Sequence, residues 1–347
     1  MQTYIPSQET INLWRVTAYR ERDGRRAEFW RSLPSLPVRP DTAHKGFFGT
    51  ALLIGGSRGM SGAISLAGAA SVVSGAGLTC LAVPEVIQET VAQFCPEYTT
   101  IPCECDDHGR LLSLQTDEMP AIFERARSVG VGPGMGVSDN IKSLVETSFC
   151  ALDYSMVFDA DALNALALLN PDEAPSYVYG TRVLTPHPGE FARLTGKKPG
   201  ECPTERLEMT RDYVTSLAEK LLASEKSVMP EGKEIVVALK GHETTIVAAR
   251  KNTSGYDVLT CTNLTGNSNL ATGGSGDVLT GLITGLMAQG ASGWDATRIG
   301  CALHGLAAEL RSTLVSRGAT ASDIIRFLPC AFDYYQHAWL ACRELER

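Results

Sequence analysis

From Phe48 onward, short apolar runs alternate with longer stretches of helical period, and this alternation restricts the chain to very few architectures. Thr50–Ile54, Leu78–Val83, Ser128–Val131, Met156–Phe158, Val183-Leu184 and Ile235–Leu239 read as buried strands. They are brief, apolar and bounded by Gly, Pro, Asp or Lys. Between them the pattern predicts helices over Gly62–Ser74, Ser138–Ser148, Asp161–Leu169, Glu190–Thr195 and Thr204–Ala223. Two further strands, Thr245–Ala249 and Val258–Cys261, flank an Asn-Thr-Ser-Gly turn. The rest reads as helix: Gly276–Gln289, Trp294–Leu314 and Ser322–Leu345. The expectation is an α/β fold with a mainly parallel central sheet and helices on both faces. Ligands in such sheets bind beyond the carboxyl ends of the strands. That rule singles out Gly55-Gly56-Ser57, Gly132-Pro133-Gly134, Asp159-Ala160-Asp161, His187 and Lys240-Gly241.

Residues 1–40 break the pattern, with a possible helix near Gln8–Arg20, a charged segment Glu21–Arg26, and then Pro34, Pro37 and Pro40. They read as an N-terminal arm, and residues 41–347 as one domain. The 39 acidic residues outnumber the 31 Lys and Arg, giving a net charge of −8. This balance offers no general attraction for nucleic acid. Ten cysteines are scattered along the chain, and the nearest pair, Cys103 and Cys105, lacks the spacing of a zinc knuckle. They read as reduced thiols. Met1–Trp14 has no signal-peptide core and no stretch is long and apolar enough for a membrane, so the expected location is cytoplasmic.

The segment Ala271-Thr272-Gly273-Gly274-Ser275-Gly276-Asp277-Val278-Leu279-Thr280-Gly281 carries the most chemistry. Small residues let backbone approach an anion closely, and a helix starting near Gly276 aims free N–H groups at it. Asp277 at such a start is placed to act as a base on a hydroxyl beside a bound phosphate, although an aspartate there also serves as a plain helix cap.

This segment resembles the signature of the ribokinase-like superfamily. Other segments narrow the resemblance to the NAD(P)H-hydrate dehydratases: His44-Lys45-Gly46, Gly55-Gly56-Ser57 with Gly62-Ala63, and Ser74-Gly75-Ala76-Gly77-Leu78. Val131-Gly132-Pro133-Gly134, Asp159-Ala160-Asp161-Ala162-Leu163-Asn164 and Leu184-Thr185-Pro186-His187-Pro188-Gly189-Glu190 follow in the same order, then Leu239-Lys240-Gly241 and Gly266-Asn267. The resemblance implies a ribokinase-like fold and dehydration of (6S)-NADHX or (6S)-NADPHX to NADH or NADPH, a metabolite repair. ADP or ATP would supply the phosphoryl group with Mg²⁺, yielding AMP or ADP plus phosphate. It implies that Asp277 is the base. Ala63, Gly134, His187 and Asn267 would meet the hydrate with it. Lys240, Gly241, His242, Glu243, Thr244 and Gly273, Gly274, Ser275, Gly276 would hold the nucleotide.

Residue chemistry adds readings of its own. Asp159 and Asp161 lie one residue apart at a strand end, where oxygen ligands suit Mg²⁺. Asp159 and Glu190 are the candidate metal residues, while Asp161 and Glu190 also fit helix starts. Ser268-Asn269-Leu270 departs from the family's Pro-Gly before the Ala-Thr-Gly-Gly run, which puts the geometry of that loop in question. Ser275 replaces the usual Thr. Relatives are often oligomeric, so a homo-oligomer is expected. Many also carry a fused epimerase, which the short arm is not expected to encode, so any epimerase partner would be a separate protein. Two rival functions remain at this level: a ribokinase-like kinase of a small molecule such as a vitamin precursor, and a nucleotide-sensing module without turnover.

Overall fold

A computed structural model describes residues 24–169, 178–223, 229–314 and 317–344; the expected helix near Gln8–Arg20 lies outside them. In chain order the elements begin with α1 (Gly24–Ser32), β1 (Thr50–Ile54), α2 (Ser61–Val73), β2 (Leu78–Pro84), α3 (Gln88–Ala92), β3 (Thr99–Cys103) and α4 (Met119–Arg125). Next come β4 (Ala126–Val131), α5 (Asp139–Ala151), β5 (Ser155–Phe158), α6 (Asp161–Ala167), β6 (Arg182–Leu184), α7 (Pro188–Thr195) and α8 (Pro203–Ala223). The chain continues through β7 (Glu234–Leu239), β8 (Thr245–Lys251), β9 (Tyr256–Thr262), α9 (Ser275–Ala288), α10 (Gly293–Ser312) and α11 (Ala321–Glu344).

The nine strands form one sheet in the order β3-β2-β1-β4-β5-β6-β7-β8-β9. β3 through β7 pair in parallel, and β7, β8 and β9 are antiparallel neighbours. The order reverses between β1 and β4, which places the ligand side of the sheet at the carboxyl edge beside these two strands. The expectation of a mainly parallel sheet holds. β3 was not legible because Pro102 sits in it; only an edge strand tolerates a residue with no N–H to give the ladder, and β3 is an edge.

The near-continuous apolar character of the strands follows from their having two covered faces. Met156 and Phe158 of β5 and Ile235, Val237 and Leu239 of β7 join Ile141, Val145, Leu163, Phe191 and Val214 of helices α5 to α8. The intervening Val157, Val236 and Ala238 join Leu282, Ile283, Ile299, Leu303 and Ile324 of α9 to α11 on the opposite face. α2 and α9 pack through small residues: a Cβ added at Gly281 would overlap the Ala67 carbonyl, and one at Gly285 would overlap the Ser74 hydroxyl. Helix α1 packs on the body. Phe29 and Leu33 are buried in the second core, Trp30 lies 5.8 Å from the Tyr335 ring, and Tyr335 Oη donates to the Pro34 carbonyl at 2.7 Å.

Arg182, at the start of β6, is fully buried. Its guanidinium donates to the carbonyls of Ser148, Phe149, Leu152 and Tyr154 at 3.3, 2.6, 2.6 and 2.6 Å. It thereby closes the C-terminus of α5, whose last carbonyls have no partner inside the helix, with a charge of the sign the helix dipole favours. Arg182→Leu would leave these carbonyls buried and unpaired. The expected loss, read from a denaturant titration, is about 3 kcal/mol or more, because several charge-assisted hydrogen bonds disappear at once.

Candidate active site

The floor of the crevice is backbone. Gly56 N–H donates to the Pro133 carbonyl at 2.8 Å and Ser57 Oγ donates to the Gly134 carbonyl at 2.8 Å, which ties the β1 loop to the β4 loop. Gly132 has φ 126°, and a Cβ there would overlap the Asp159 carbonyl. Gly134 has φ 63°, and a Cβ there would lie 2.8 Å from the Met60 carbonyl oxygen and 2.9 Å from Ala63 Cβ. The structure therefore brings Ala63 and Gly134 together, so closely that a side chain at 134 would press on the Ala63 methyl.

Across the crevice, α9 starts on Gly274, whose φ of 87° is left-handed. No side chain caps this helix, and the amides of Gly276 and Asp277 make no backbone hydrogen bond among the described residues. They are free to receive an anion. Asp277 is the third helical residue and half-buried, so the simple capping role does not apply. The Ser275 hydroxyl turns inward, 3.2 Å from His304 Nε2, so only its backbone faces the loop. Burial pulls His304 down to about 4, which keeps that partner neutral.

Beneath the helix start lies a polar cluster. Asp159, at the tip of β5, is buried; Lys240 Nζ at the tip of β7 donates to its Oδ1 at 2.6 Å and Thr280 Oγ1 of α9 donates to its Oδ2 at 2.7 Å. Lys240 Nζ is also 3.9 Å from Glu190 Oε2. A Cβ added at Gly276 would sit 3.3 Å from Lys240 Nζ, so the pair lies directly under the helix start. Burial alone would lower the Lys240 ammonium; Asp159 and Glu190 outweigh it and hold it above its usual value. Burial pushes the Asp277 carboxyl up to about 7, with Asp159 adding to the rise and Lys240 opposing it. Asp277 is thus a proton acceptor matched to neutral solution.

His187 and Glu190 form a capping box on α7. The His187 Nδ1 accepts from the amides of Gly189 and Glu190 at 2.9 and 3.2 Å, and Glu190 Oε2 accepts from the His187 amide at 2.7 Å. An Nδ1 that accepts leaves the proton on Nε2, and burial with Lys240 and Arg193 lowers the ring's proton affinity. The ring is half-exposed and its Nε2 lies 3.3 Å from Glu190 Oε1, so its N–H is directed at that carboxyl. Burial pushes Glu190 up to about 7 despite Lys240.

Several residues stand elsewhere than the sequence suggested. Asp161 is not a cap: it is the first residue of α6 and accepts from the Gly136 amide at 2.9 Å and Asn164 Nδ2 at 3.2 Å, pinning the β4 loop. Asn267 uses its side chain within the protein, accepting from the Asn269 amide at 3.0 Å and donating to Ser312 Oγ at 2.7 Å. These bonds shape Ser268–Leu270 into a capped turn, which answers the missing Pro-Gly. Lys240 turns its ammonium onto Asp159. Both oxygens of Asp159 are already engaged, and no group of three or more His, Cys, Asp or Glu gathers as a metal cage among the described residues. Gly273, Gly274, Ser275 and Gly276 do form the loop at the helix start, and Gly241, His242, Glu243 and Thr244 form the β7–β8 turn. Sequence reasoning missed Thr280, although it lies one turn from Gly276 and donates to that carbonyl as well at 3.2 Å. It also missed His304 and Arg206, whose guanidinium lies under the β7–β8 turn and whose positions carry no motif.

The raised Asp277 carboxyl has a thermodynamic consequence. The unfolded group ionises near its ordinary value, so between that pH and about 7 folding must hold it protonated, and above 7 the full penalty remains. Asp277→Asn removes the penalty. Its melting temperature should exceed the wild type's at pH 8, by at most about 4 kcal/mol of stability, and the difference should vanish near pH 4.

The comparisons agree with this geometry. Residues 51–330 match the family model described as NAD(P)H-hydrate dehydratase. The bifunctional NAD(P)H-hydrate repair enzyme Nnr of Moorella thermoacetica is 36% identical over 302 residues, covering 85% of this chain and 51% of that protein. The enzyme of the same name from Escherichia coli is 35% identical over 293 residues, covering 84% and 49%. The chain therefore spans about half the length of these curated relatives. The crystal structure of the ADP/ATP-dependent NAD(P)H-hydrate dehydratase from Bacillus subtilis, co-crystallised with ATP and Mg²⁺, superposes with TM-score 0.64 at 29% identity, covering 89% of this chain and 97% of that one. A ribokinase-like superfamily protein from Enterococcus faecalis shares the fold with TM-score 0.63 at 24% identity, covering 89% and 95%. On the match over residues 51–330, this chain belongs to the NAD(P)H-hydrate dehydratase family and has the ribokinase-like fold.

Proposed function

We propose that the chain catalyses the nucleotide-dependent dehydration of (6S)-NADHX and (6S)-NADPHX, restoring NADH and NADPH, with ADP or ATP as phosphoryl donor. The observation that carries the reading is Asp277: a half-buried carboxyl of raised basicity beside free amides, facing a crevice floored by glycine. Membership of the family and the nucleotide dependence stated for the Bacillus subtilis neighbour support it.

In this reading the hydrate lies against Ala63, Gly134 and the exposed edge of the His187 ring, and Asn267 acts by holding its loop. The nucleotide runs along Lys240, Gly241, His242, Glu243 and Thr244 to Gly273–Gly276. Asp277 takes the proton of the ring hydroxyl, and the oxygen attacks the terminal phosphorus, releasing AMP from ADP or ADP from ATP. The amides of Gly276 and Asp277 hold the charge gathering on the transferring group. Hydroxide is a poor leaving group and phosphate a good one. The ring nitrogen lone pair now expels phosphate, and loss of a proton from the adjacent carbon restores the double bond. Magnesium bound to the nucleotide's phosphates supplies further charge neutralisation. Such an ion keeps several waters. Asp159, whose oxygens accept from Lys240 and Thr280, and Glu190 are the carboxylates that would lie nearest such an ion and add to the negative charge that holds it. The acidic balance and the free thiols of the nine described cysteines support a cytoplasmic setting.

The test is purified protein with hydrated NADH, magnesium and ADP or ATP, following recovery of the dihydronicotinamide absorbance and release of phosphate. Both should appear together. A stable phosphorylated product with no recovered absorbance would instead identify a small-molecule kinase. Asp277→Asn should lower the rate by about 10²–10⁴, the usual share of a general base. In the wild type, log kcat/KM should fall below pH of about 7 as Asp277 becomes protonated.

A further inference from the structure

We propose that Arg206 is a positioning residue for the nucleotide. From beneath the β7–β8 turn it orients the Lys240–Gly241 peptide so that the amide of the exposed Gly241 points outward, where the nucleotide of the proposed function would lie. The inference rests on the proposed function for the identity of the ligand, and on geometry for the rest.

Arg206 lies in the first turns of α8 and is buried. Its guanidinium donates to the carbonyls of Leu239 at 3.0 Å, Lys240 at 2.9 Å and His242 at 3.3 Å. The carbonyl between them, Gly241, accepts from Thr244 Oγ1 at 3.2 Å. In a trans peptide the N–H points opposite to the C=O of the same unit. Drawing the Lys240 and His242 carbonyls inward therefore turns the Gly241 and Glu243 N–H groups away from Arg206. Gly241 and His242 are themselves exposed, so the turn is a thin layer of backbone over a buried cation. An outward backbone amide of this kind can donate to an anionic or polar ligand atom.

Two features fit a turn held on Arg206. A Cβ at Gly241 would lie 2.5 Å from Arg206 Nη1, so the turn can settle on the guanidinium only with glycine there. Glu243 adopts φ 55°, a left-handed conformation that is strained for a residue with a side chain and persists only where its surroundings enforce it. In addition, Arg206 Nε and Thr245 Oγ1 are buried without a hydrogen-bond partner. Thr245 pairs with Leu239 in the sheet, and its side chain lies on the α8 face with Val247 and Ala249.

The experiment compares wild type, Arg206→Lys and Arg206→Met in Mg·ADP and Mg·ATP titrations by calorimetry and in steady-state assays with hydrated NADH. The proposal expects Arg206→Met to raise the nucleotide KM and Kd about tenfold or more, the equivalent of one lost charge-assisted hydrogen bond, with an intermediate effect for Arg206→Lys. The KM for hydrated NADH and kcat should change less than about threefold, since the tenfold loss is confined to the nucleotide side. Gly241→Ala should reproduce the nucleotide-selective loss, and it serves alone if Arg206→Met does not fold. An equal rise in both KM values, or a fall in kcat that merely tracks melting temperature, would overturn the proposal. If the wild type binds Mg·ADP or Mg·ATP but does not turn over hydrated NADH, the proposed function fails while the calorimetric comparison still decides the role of Arg206.

Discussion

The site depends on one buried carboxylate. Asp159 stands at the tip of β5 with its oxygens divided between the Lys240 ammonium of β7 and the Thr280 hydroxyl of α9. A carboxylate buried to this degree is tolerated only with such partners, since an isolated charge in a protein interior is very costly. The pairing therefore fixes three elements relative to each other: two central strands and the helix whose free amides face the crevice. Thr280 is inside α9, so the hydrogen bond also sets the rotation of that helix, and with it the direction of Asp277 one turn earlier.

The same pair governs the chemistry above it. Asp277 has lost solvent and lies near the Asp159 charge, which together raise its basicity, while Lys240 keeps the rise within a range useful at neutral pH. Removing any of these terms would leave either a weak base or a carboxyl that stays protonated. The β1–β4 side of the crevice is shaped by exclusion of side chains. Gly132 and Gly134 hold φ values closed to most residues, and the β1 loop is fastened to them by Ser57. Backbone thus lines the crevice at the β4 loop and at the start of α9, and the charged groups stand between.

Loops that carry little sequence signal acquire shape from buried polar residues elsewhere. Asn267 and Asn269 build the turn over Ser268–Leu270, with Asn269 Nδ2 reaching the Ala308 carbonyl at 3.4 Å. Arg206 holds the β7–β8 turn from below and Arg182 closes α5. In each case a side chain satisfies backbone carbonyls that no ladder or helix can, which is how a loop stays ordered without a core of its own.

The sequence by itself determined the layered parallel sheet, because strands covered on both faces must be apolar throughout, and their length separates them from the helices. It also pointed to the amide-rich helix start with Asp277, since small residues let backbone approach an anion closely and an acidic residue suits the first turn of a helix. What it left open were matters of distance between segments far apart in the chain. Lys240 read as a solvent-facing or phosphate-facing lysine until β5 and β7 placed Asp159 2.6 Å from it. His187 read as a free ring until the first turn of α7 folded its amides onto Nδ1. Asp161 and Asn267 read as cap and ligand, and packing gave them loops to hold instead. Hydrogen bonds and charge pairing depend on ångström separations that no local pattern encodes, so only the tertiary structure decided which polar residues face the crevice and which support it.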